Sequence, residues 1–311
     1  MKERLAGCIA KISLENLDAL LISSPVNITY LTGFREAEGY LLVSRGMRPL
    51  YFTNFLYRYE AEKLPDCDIC INTAGDIFKL IAEMTRKLAL KRLGFEAKHI
   101  PFLEYRKIKH FLSKYNIDFV KTADLVEGLM KIKTPQEIIY IRESISITLQ
   151  ALRFAQEIAS AHITEKELSI EVEKFLRLKG DNQTAFPTIV ASGKNSAFAH
   201  HICGQAKLNR NFFLIDLGAR HYGYCADLTR VFFWGKMSTL FKKIYDIVQK
   251  AKDLSIKNIR DGTPAKKVDL SARKYIEKKG FAKYFGHGLG HGVGLAVHEA
   301  PFLNKIGRAH V

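Results

Sequence analysis

The chain has 311 residues, 47% of them hydrophobic and 26% charged, a composition that excludes a disordered, collagenous or coiled-coil protein. At twice the ~150 residues of a typical domain, it argues for two domains. Lys and Arg number 48 against 32 Asp and Glu, for a net charge of +16. These basic residues are spread along the chain and Lys outnumbers Arg, which fits a solvated surface and argues against a nucleic-acid partner. No run approaches the ~18 apolar residues of a membrane helix, so no membrane association is expected.

At the start, Leu5-Ala6-Gly7-Cys8 looks like a lipoprotein cleavage box. The apolar stretch that must precede such a box is missing, because Arg4 adjoins Leu5, so a cytoplasmic protein is expected. The five cysteines, at 8, 67, 70, 203 and 225, are odd in number and scattered, unlike a disulfide framework. Cys67-x-x-Cys70 has no second pair or nearby His to complete a zinc site, and it alternates like a strand. Over the first ~125 residues, β-like runs at 18–24, 39–44, 49–53, 92–96 and 117–120 are separated by helical patterns such as 76–90, the signature of an α/β layer with a mixed sheet. This region carries little chemistry: its only histidines are His99 and His110, and no Gly-rich phosphate loop follows a strand.

Near residue 128 the pattern changes, and the domain boundary is placed there (1–128 and 129–311). Thr134-Pro135-Gln136-Glu137 combines a Thr N-cap, a Pro at the first helical position and a Glu at N3, which predicts a helix of about 25 residues. A second capping box at Thr164-Glu165-Lys166-Glu167 opens another helix that Gly180 can end. Strand-rich segments follow at 185–192, 212–219 and 224–234, then helices at 238–258 and 264–279, then a Gly-rich run at 285–295. The second domain therefore reads as α+β.

Seven of the ten histidines lie at or beyond position 200, which places the chemistry in this second domain. Asp216 and Asp227 interrupt apolar strands joined by a turn near 221–223, and an antiparallel pairing would set them across from each other. Carboxylates in such strands need a cation, either a metal ion or a neighbour such as Arg220 or Arg230, and both readings stay open here. His287, His291 and His298 fall within or just after the Gly-rich run, where alternate glycines let the backbone approach closely and let imidazoles share one site. Mixed oxygen and nitrogen donors suit Mn(II), Co(II), Zn(II) or Fe(II) better than Mg or Ca. His200, in a loop after a strand, is by itself as compatible with a structural role as with a site.

Taken in order, Asn27-Ile28-Thr29-Tyr30-Leu31-Thr32-Gly33-Phe34, the junction Lys131-Ile132-Lys133-Thr134-Pro135, the Asp216/Asp227 segment and the His291/His298 segment resemble the pita-bread metallopeptidases. That family contains Xaa-Pro aminopeptidases, Xaa-Pro dipeptidases and methionine aminopeptidases; the first domain is similar to its creatinase-type N-terminal domain, and the resemblance implies a curved, mainly antiparallel sheet in the α+β second domain. The resemblance implies hydrolysis of the bond before proline in a peptide with proline at the second position. It implies two divalent ions, Mn(II) first and Co(II) or Zn(II) as alternatives, that ionise water near neutral pH. By position, Asp216, Asp227 and His291 resemble three of five metal ligands, Asp227 bridging. His200 and His298 resemble catalytic histidines, and His287 a substrate-binding one. A homodimer is the family's habit. A non-catalytic binding module on the same fold is the alternative, and retained Asp216, Asp227, His291 and His298 weigh against it.

The family's other two ligands are glutamates, in a Glu-Pro-Gly and a Glu-Asp segment, and neither is found here; Glu299 belongs to the His-Glu segment and is no substitute. The 311-residue form is therefore expected to be an inactive fragment. Its last six residues, Ile306-Gly307-Arg308-Ala309-His310-Val311, resemble the translation of a sequencing-library adapter and are expected to be non-native.

Overall fold

The computed structural model describes residues 2–35, 38–64, 66–73, 75–208 and 211–305; the adapter-like segment 306–311 lies outside the described residues. The chain divides into two compact units, Met1–Ile132 and Lys133–Val311.

In the first unit, helices alternate with strands: α1 (Lys2–Leu14), β1 (Ala19–Ile22), α2 (Pro25–Thr32), β2 (Tyr40–Ser44), β3 (Leu50–Asn54), α3 (Arg58–Ala61), β4 (Asp68–Asn72), α4 (Ile77–Lys87), β5 (Arg92–Glu96), α5 (Phe102–Ser113), β6 (Asp118–Thr122) and α6 (Glu127–Met130). The six strands form one sheet in the order β4-β3-β2-β1-β5-β6. It is mixed as expected: β1–β2 and β2–β3 are antiparallel, and β3–β4, β1–β5 and β5–β6 are parallel. Every side chain of β1 is buried, which is why that strand reads as an unbroken apolar run rather than an alternating one. Phe78, Ile81 and Ala82 of α4 and Ile108 and Leu112 of α5 pack with Leu21, Leu42, Phe52 and Leu93 of the sheet. Cys8, the residue of the lipoprotein-like box, is buried in α1, and all five cysteines are free thiols.

At the carboxyl end of β5, Glu96 accepts hydrogen bonds from the backbone N–H of Ser23 (2.7 Å) and Ser24 (2.8 Å) and from the Asn27 amide, tying the start of α2 to the sheet. Burial nevertheless pushes this carboxyl above the usual range, and the charge of Glu127 adds to the push.

The second unit opens with α7 (Pro135–Ile158) and α8 (Glu165–Lys179). Both capping boxes form as the sequence predicts: Thr134 Oγ1 accepts from Glu137 N–H, and Glu137 Oε2 accepts from Thr134 N–H, with Thr164 and Glu167 repeating the arrangement. Glu137 is almost fully buried, and its other oxygen accepts from the Tyr224 hydroxyl at 3.0 Å, so the cap also fixes where α7 meets the strands. Thr134→Ala is expected to destabilise this unit by about 1 kcal/mol, read from a shifted urea midpoint at unchanged slope.

The strands are β7 (Ile189–Ser192), β8 (Phe212–Leu217), β9 (Arg220–His221), β10 (Tyr224–Cys225) and β11 (Leu228–Phe233); α9 (Thr239–Lys257), α10 (Ala265–Lys278), β12 (Gly290–Gly292) and β13 (Glu299–Leu303) follow. All their pairings are antiparallel: β11-β8-β7 make one small sheet, and β9–β10 and β12–β13 make two ribbons. In β8, Phe213, Ile215 and Leu217 are buried with Ala151, Ala155, Leu168 and Val172 of α7 and α8, while Phe212, Leu214 and Asp216 alternate to the other side at intermediate burial. This two-residue period puts Asp216 on the face turned away from those helices.

One local expectation is corrected. Asp216 does not face Asp227 directly; its partner in the β8–β11 ladder is Thr229, and Asp227 lies two residues earlier, where the ladder ends at Leu217↔Leu228. The β9–β10 ribbon keeps the register of the β8–β11 ladder, and Ala226 N–H donating to the Ala219 carbonyl (2.9 Å) links the two, so the turn at Tyr222-Gly223 sets the offset. Gly218 lies opposite Asp227 in that register, where a Cβ would collide with the Ala226 carbonyl oxygen. The carboxylates are diagonal neighbours on one face rather than an opposed pair.

Candidate metal centre

Asp227, His291 and His298 each offer a donor atom within 4.8 Å of the others. Asp227 leaves the Cys225-Ala226 segment just before β11, and the segment is stitched to the Gly-rich run by Cys225 N–H donating to the Gly294 carbonyl at 2.7 Å. His291 sits on β12, and its Nε2 lies 3.5 Å from Asp227 Oδ2. Its Nδ1 is 3.1 Å from the Gly292 carbonyl oxygen, which can only accept, so Nδ1 donates there and Nε2 is the ring atom turned to the carboxylate. Two lone pairs facing one another require a cation between them, a proton or a metal ion. The His298 ring packs edge-on to that of His291 with centroids 4.2 Å apart.

Asp216 extends this group. Burial lifts its carboxyl above the usual range, the Thr229 hydroxyl donating at 2.8 Å works against the lift, and the neighbouring Asp227 charge adds to it. His298 and His200 act in the opposite direction, so both imidazoles lie within electrostatic reach of Asp216. Four of the six residues singled out from sequence, Asp216, Asp227, His291 and His298, thus surround one place, with His200 beside it. His287 is exposed and outside the donor group: its Nδ1 bonds the Gly288 carbonyl at 2.6 Å and its ring meets Phe285 edge-on. Asp227, His291 and His298, with Asp216 near but outside their 4.8 Å group, offer oxygen and nitrogen donors of the kind that suit a divalent transition ion.

The scaffold under the Gly-rich run was not legible in sequence. Asp269 of α10 is fully buried and pairs twice with Arg273, each contact 2.8 Å. Arg273 in turn donates to the carbonyls of Phe285 (2.9 Å) and His287 (2.8 Å), while Leu289 N–H reaches Asp269 Oδ1 at 3.2 Å. An i,i+4 ion pair that looks like ordinary surface chemistry therefore carries the entry to β12. Further on, Gly294 has no room for a side chain, because a Cβ would come within 2.6 Å of both Glu299 carboxylate oxygens. Glu299 is paired with Lys133 Nζ and accepts from Ala296 N–H at 3.4 Å.

Fold and site together define a two-unit protein in which carboxylates of the β8–β11 hairpin meet imidazoles from the Gly-rich run, donors whose chemistry suits a divalent ion. Residues 140–310 match Metallopeptidase family M24, and residues 4–129 match the Creatinase/Prolidase N-terminal domain. The Xaa-Pro dipeptidase of Pyrococcus furiosus is 31% identical over 310 residues, covering 98% of this chain and 86% of that protein. The uncharacterized peptidase YqhT of Bacillus subtilis is 32% identical over 93% of this chain and 81% of its own length. The solved Xaa-Pro dipeptidase of Bacillus anthracis superposes with a TM-score of 0.92 at 30% identity, over 100% of this chain and 86% of that one. The chain belongs to metallopeptidase family M24 and has its pita-bread fold with a creatinase-like N-terminal domain. The family's peptidases depend on a pair of metal ions. Among the described residues, no helix is long and apolar enough to cross a membrane.

Proposed function

We propose that the gene for this chain encodes a cytoplasmic, homodimeric Xaa-Pro peptidase, an aminopeptidase or a dipeptidase that hydrolyses the bond before a proline at the second position. Residues 1–128 form its creatinase-type domain and 129–311 its catalytic one. The observation that carries the reading is the convergence of Asp227, His291 and His298 within 4.8 Å beside the half-buried Asp216. The named Xaa-Pro dipeptidases among its relatives, at about 30% identity, support the proline specificity.

In this reading Asp216, Asp227 and His291 hold two divalent ions, Mn(II) first and Co(II) or Zn(II) next. The ions supply Lewis acidity and lower the pKa of water so that hydroxide is available near neutral pH. The chain's own groups do the rest. His298, exposed at the edge of the donor group, donates to the carbonyl oxygen of the scissile bond as charge develops there. His200, within electrostatic reach of Asp216, acts with His298 on the reacting carbonyl, and His287 binds the substrate away from the metals. Among the described residues no third carboxylate joins the group, and Glu299 is committed to Lys133. No general base is found among the described residues, and the 311-residue chain is proposed to bind metal without turning substrate over.

Calorimetric titration of the chain with Mn(II), followed by an Xaa-Pro dipeptide hydrolysis assay, tests both parts. Mn(II) binding with hydrolysis no faster than in protein-free buffer is the expected outcome. Turnover would overturn the inactive assignment, and absence of Mn(II) binding would hand the fold to the binding-module alternative.

A further inference from the structure

Outside the metal group, Glu165, at the first helical position of α8 and 0% exposed, is a carboxylate of the second unit with four hydrogen-bond donors. Its Oε1 accepts from the backbone N–H of Ser192 (2.7 Å) and the Asn195 amide (2.8 Å); its Oε2 accepts from His201 Nε2 (2.8 Å) and Gly204 N–H (3.3 Å). Backbone bonds from Glu165 N–H to the Ala206 carbonyl (2.9 Å) and from Lys166 N–H to the Gly204 carbonyl (3.1 Å) close the same segment onto the helix start. All these partners belong to the chain between β7 and β8, which carries His200. Burial alone would raise the Glu165 carboxyl, but the bonds from Asn195, His201, Ser192 and Gly204 outweigh it and hold the group below the usual carboxylate range.

We propose that Glu165 is a positioning residue: through His201 and Gly204 it pins the 192–204 loop so that His200 is presented toward Asp216. The loop contains little regular structure beyond a short 3-10 turn, Gly193–Ala197, and its large side chains Phe198 and Ile202 are exposed, so apolar packing, which holds Cys203 at the far end, does not fix the stretch around His200. A buried carboxylate with four donors does. The proposal rests on the catalytic reading of His200 for its consequence, but the anchoring is independent of metal and substrate.

The test uses the 311-residue chain, wild type and Glu165→Gln, with amide hydrogen exchange and 15N-histidine NMR. The Gln oxygen can keep the Ser192 and Asn195 bonds, while its NH2 group replaces an acceptor with a donor opposite Gly204 N–H. Exchange in 198–204 is expected to rise about tenfold or more, with the His200 and His201 ring signals shifting and those of His287 and His291 unmoved. Mn(II) affinity should stay within about twofold, since no metal ligand is touched. Unchanged exchange in the loop, or an equal rise across α7 and β8, would overturn the proposal. If Glu165→Gln does not fold, His201→Ala, which leaves the carboxylate and its other donors in place, is expected to loosen 198–204 alone and is read by the same criteria. A loosened loop with unmoved His200 ring signals would retain the anchor and remove its link to His200, whereas failure of the peptidase reading would show only in the Mn(II) and hydrolysis assays.

The low Glu165 carboxyl also sets a pH dependence. Its stabilisation is fully present above the unfolded value of about 4.3 and is lost as pH falls through the lower folded value. Glu165→Gln should therefore flatten the acid limb of stability below about pH 4.3, measured by urea unfolding at stepped pH.

Discussion

Asp227→Asn is expected to stabilise the metal-free chain and to abolish the stabilisation that Mn(II) gives. Without metal, Asp216 and Asp227 are like charges on one sheet face, and Asp216 already carries the cost of burial against one compensating hydrogen bond from Thr229. Removing the Asp227 charge relieves that repulsion, a gain on the order of 1 kcal/mol for half-exposed groups. With metal the sign reverses. A neutral amide is a poor substitute for a carboxylate ligand, and because loss of even an outer partner typically costs 10 to 100-fold in metal affinity, loss of Asp227 should cost at least about 100-fold. Wild-type chain at 100 times its Kd gains about 2.7 kcal/mol from bound ion, and the variant would gain almost none of it. Thermal unfolding at pH 8.5, with and without Mn(II), separates the two effects: a higher midpoint than wild type without metal and a lower one with it. A variant that keeps the Mn(II) shift would remove Asp227 from the ligand set.

The parts of this structure that were legible in sequence are those specified by local chemistry. Thr134-Pro135-Gln136-Glu137 and Thr164-Glu165-Lys166-Glu167 each contain the whole device that starts a helix, so α7 and α8 begin where the residues say. The candidate site was legible for a different reason: Asp residues inside apolar strands and three His near a Gly-rich run conflict with local folding preference, and such conflicts mark function. What escaped depends on distant partners. The offset of Asp216 from Asp227 follows from where the hairpin turns, His221 pairing with Tyr224, a register that neither strand's alternation encodes. Glu165 looked like one more first-turn acid of a capped helix, because its donors lie 27 to 39 residues downstream. Asp269 and Arg273 have the i,i+4 spacing of an ordinary solvated helix pair, yet Asp269 is fully buried. The strand order of the six-stranded sheet is likewise a property of which runs meet, not of any one run.

Lys133 and Glu299 show how much one such distant pair can weigh. Their side chains are 15% and 9% exposed, and they join the residue before the α7 N-cap to the residue after His298. Lys133→Met leaves a buried carboxylate whose remaining donor is the long Ala296 N–H contact at 3.4 Å, and breaking a buried pair this way costs roughly 3–5 kcal/mol. The methyl-ended side chain refills the volume, so the loss is one of charge compensation rather than packing. Changing both residues, Lys133→Met with Glu299→Met, removes the stranded charge and should recover much of the loss, by about 1 kcal/mol or more. The single tryptophan, Trp234, packs against Phe213 in the second unit, so its fluorescence during urea unfolding reads that unit alone even if the two units unfold separately. A Lys133→Met cost below about 1 kcal/mol would mean that the carboxylate finds water once the lysine is gone. The chain from Gly294 to Glu299 would then be held by the Cys225–Gly294 backbone bond and the β12–β13 ladder rather than by the ion pair.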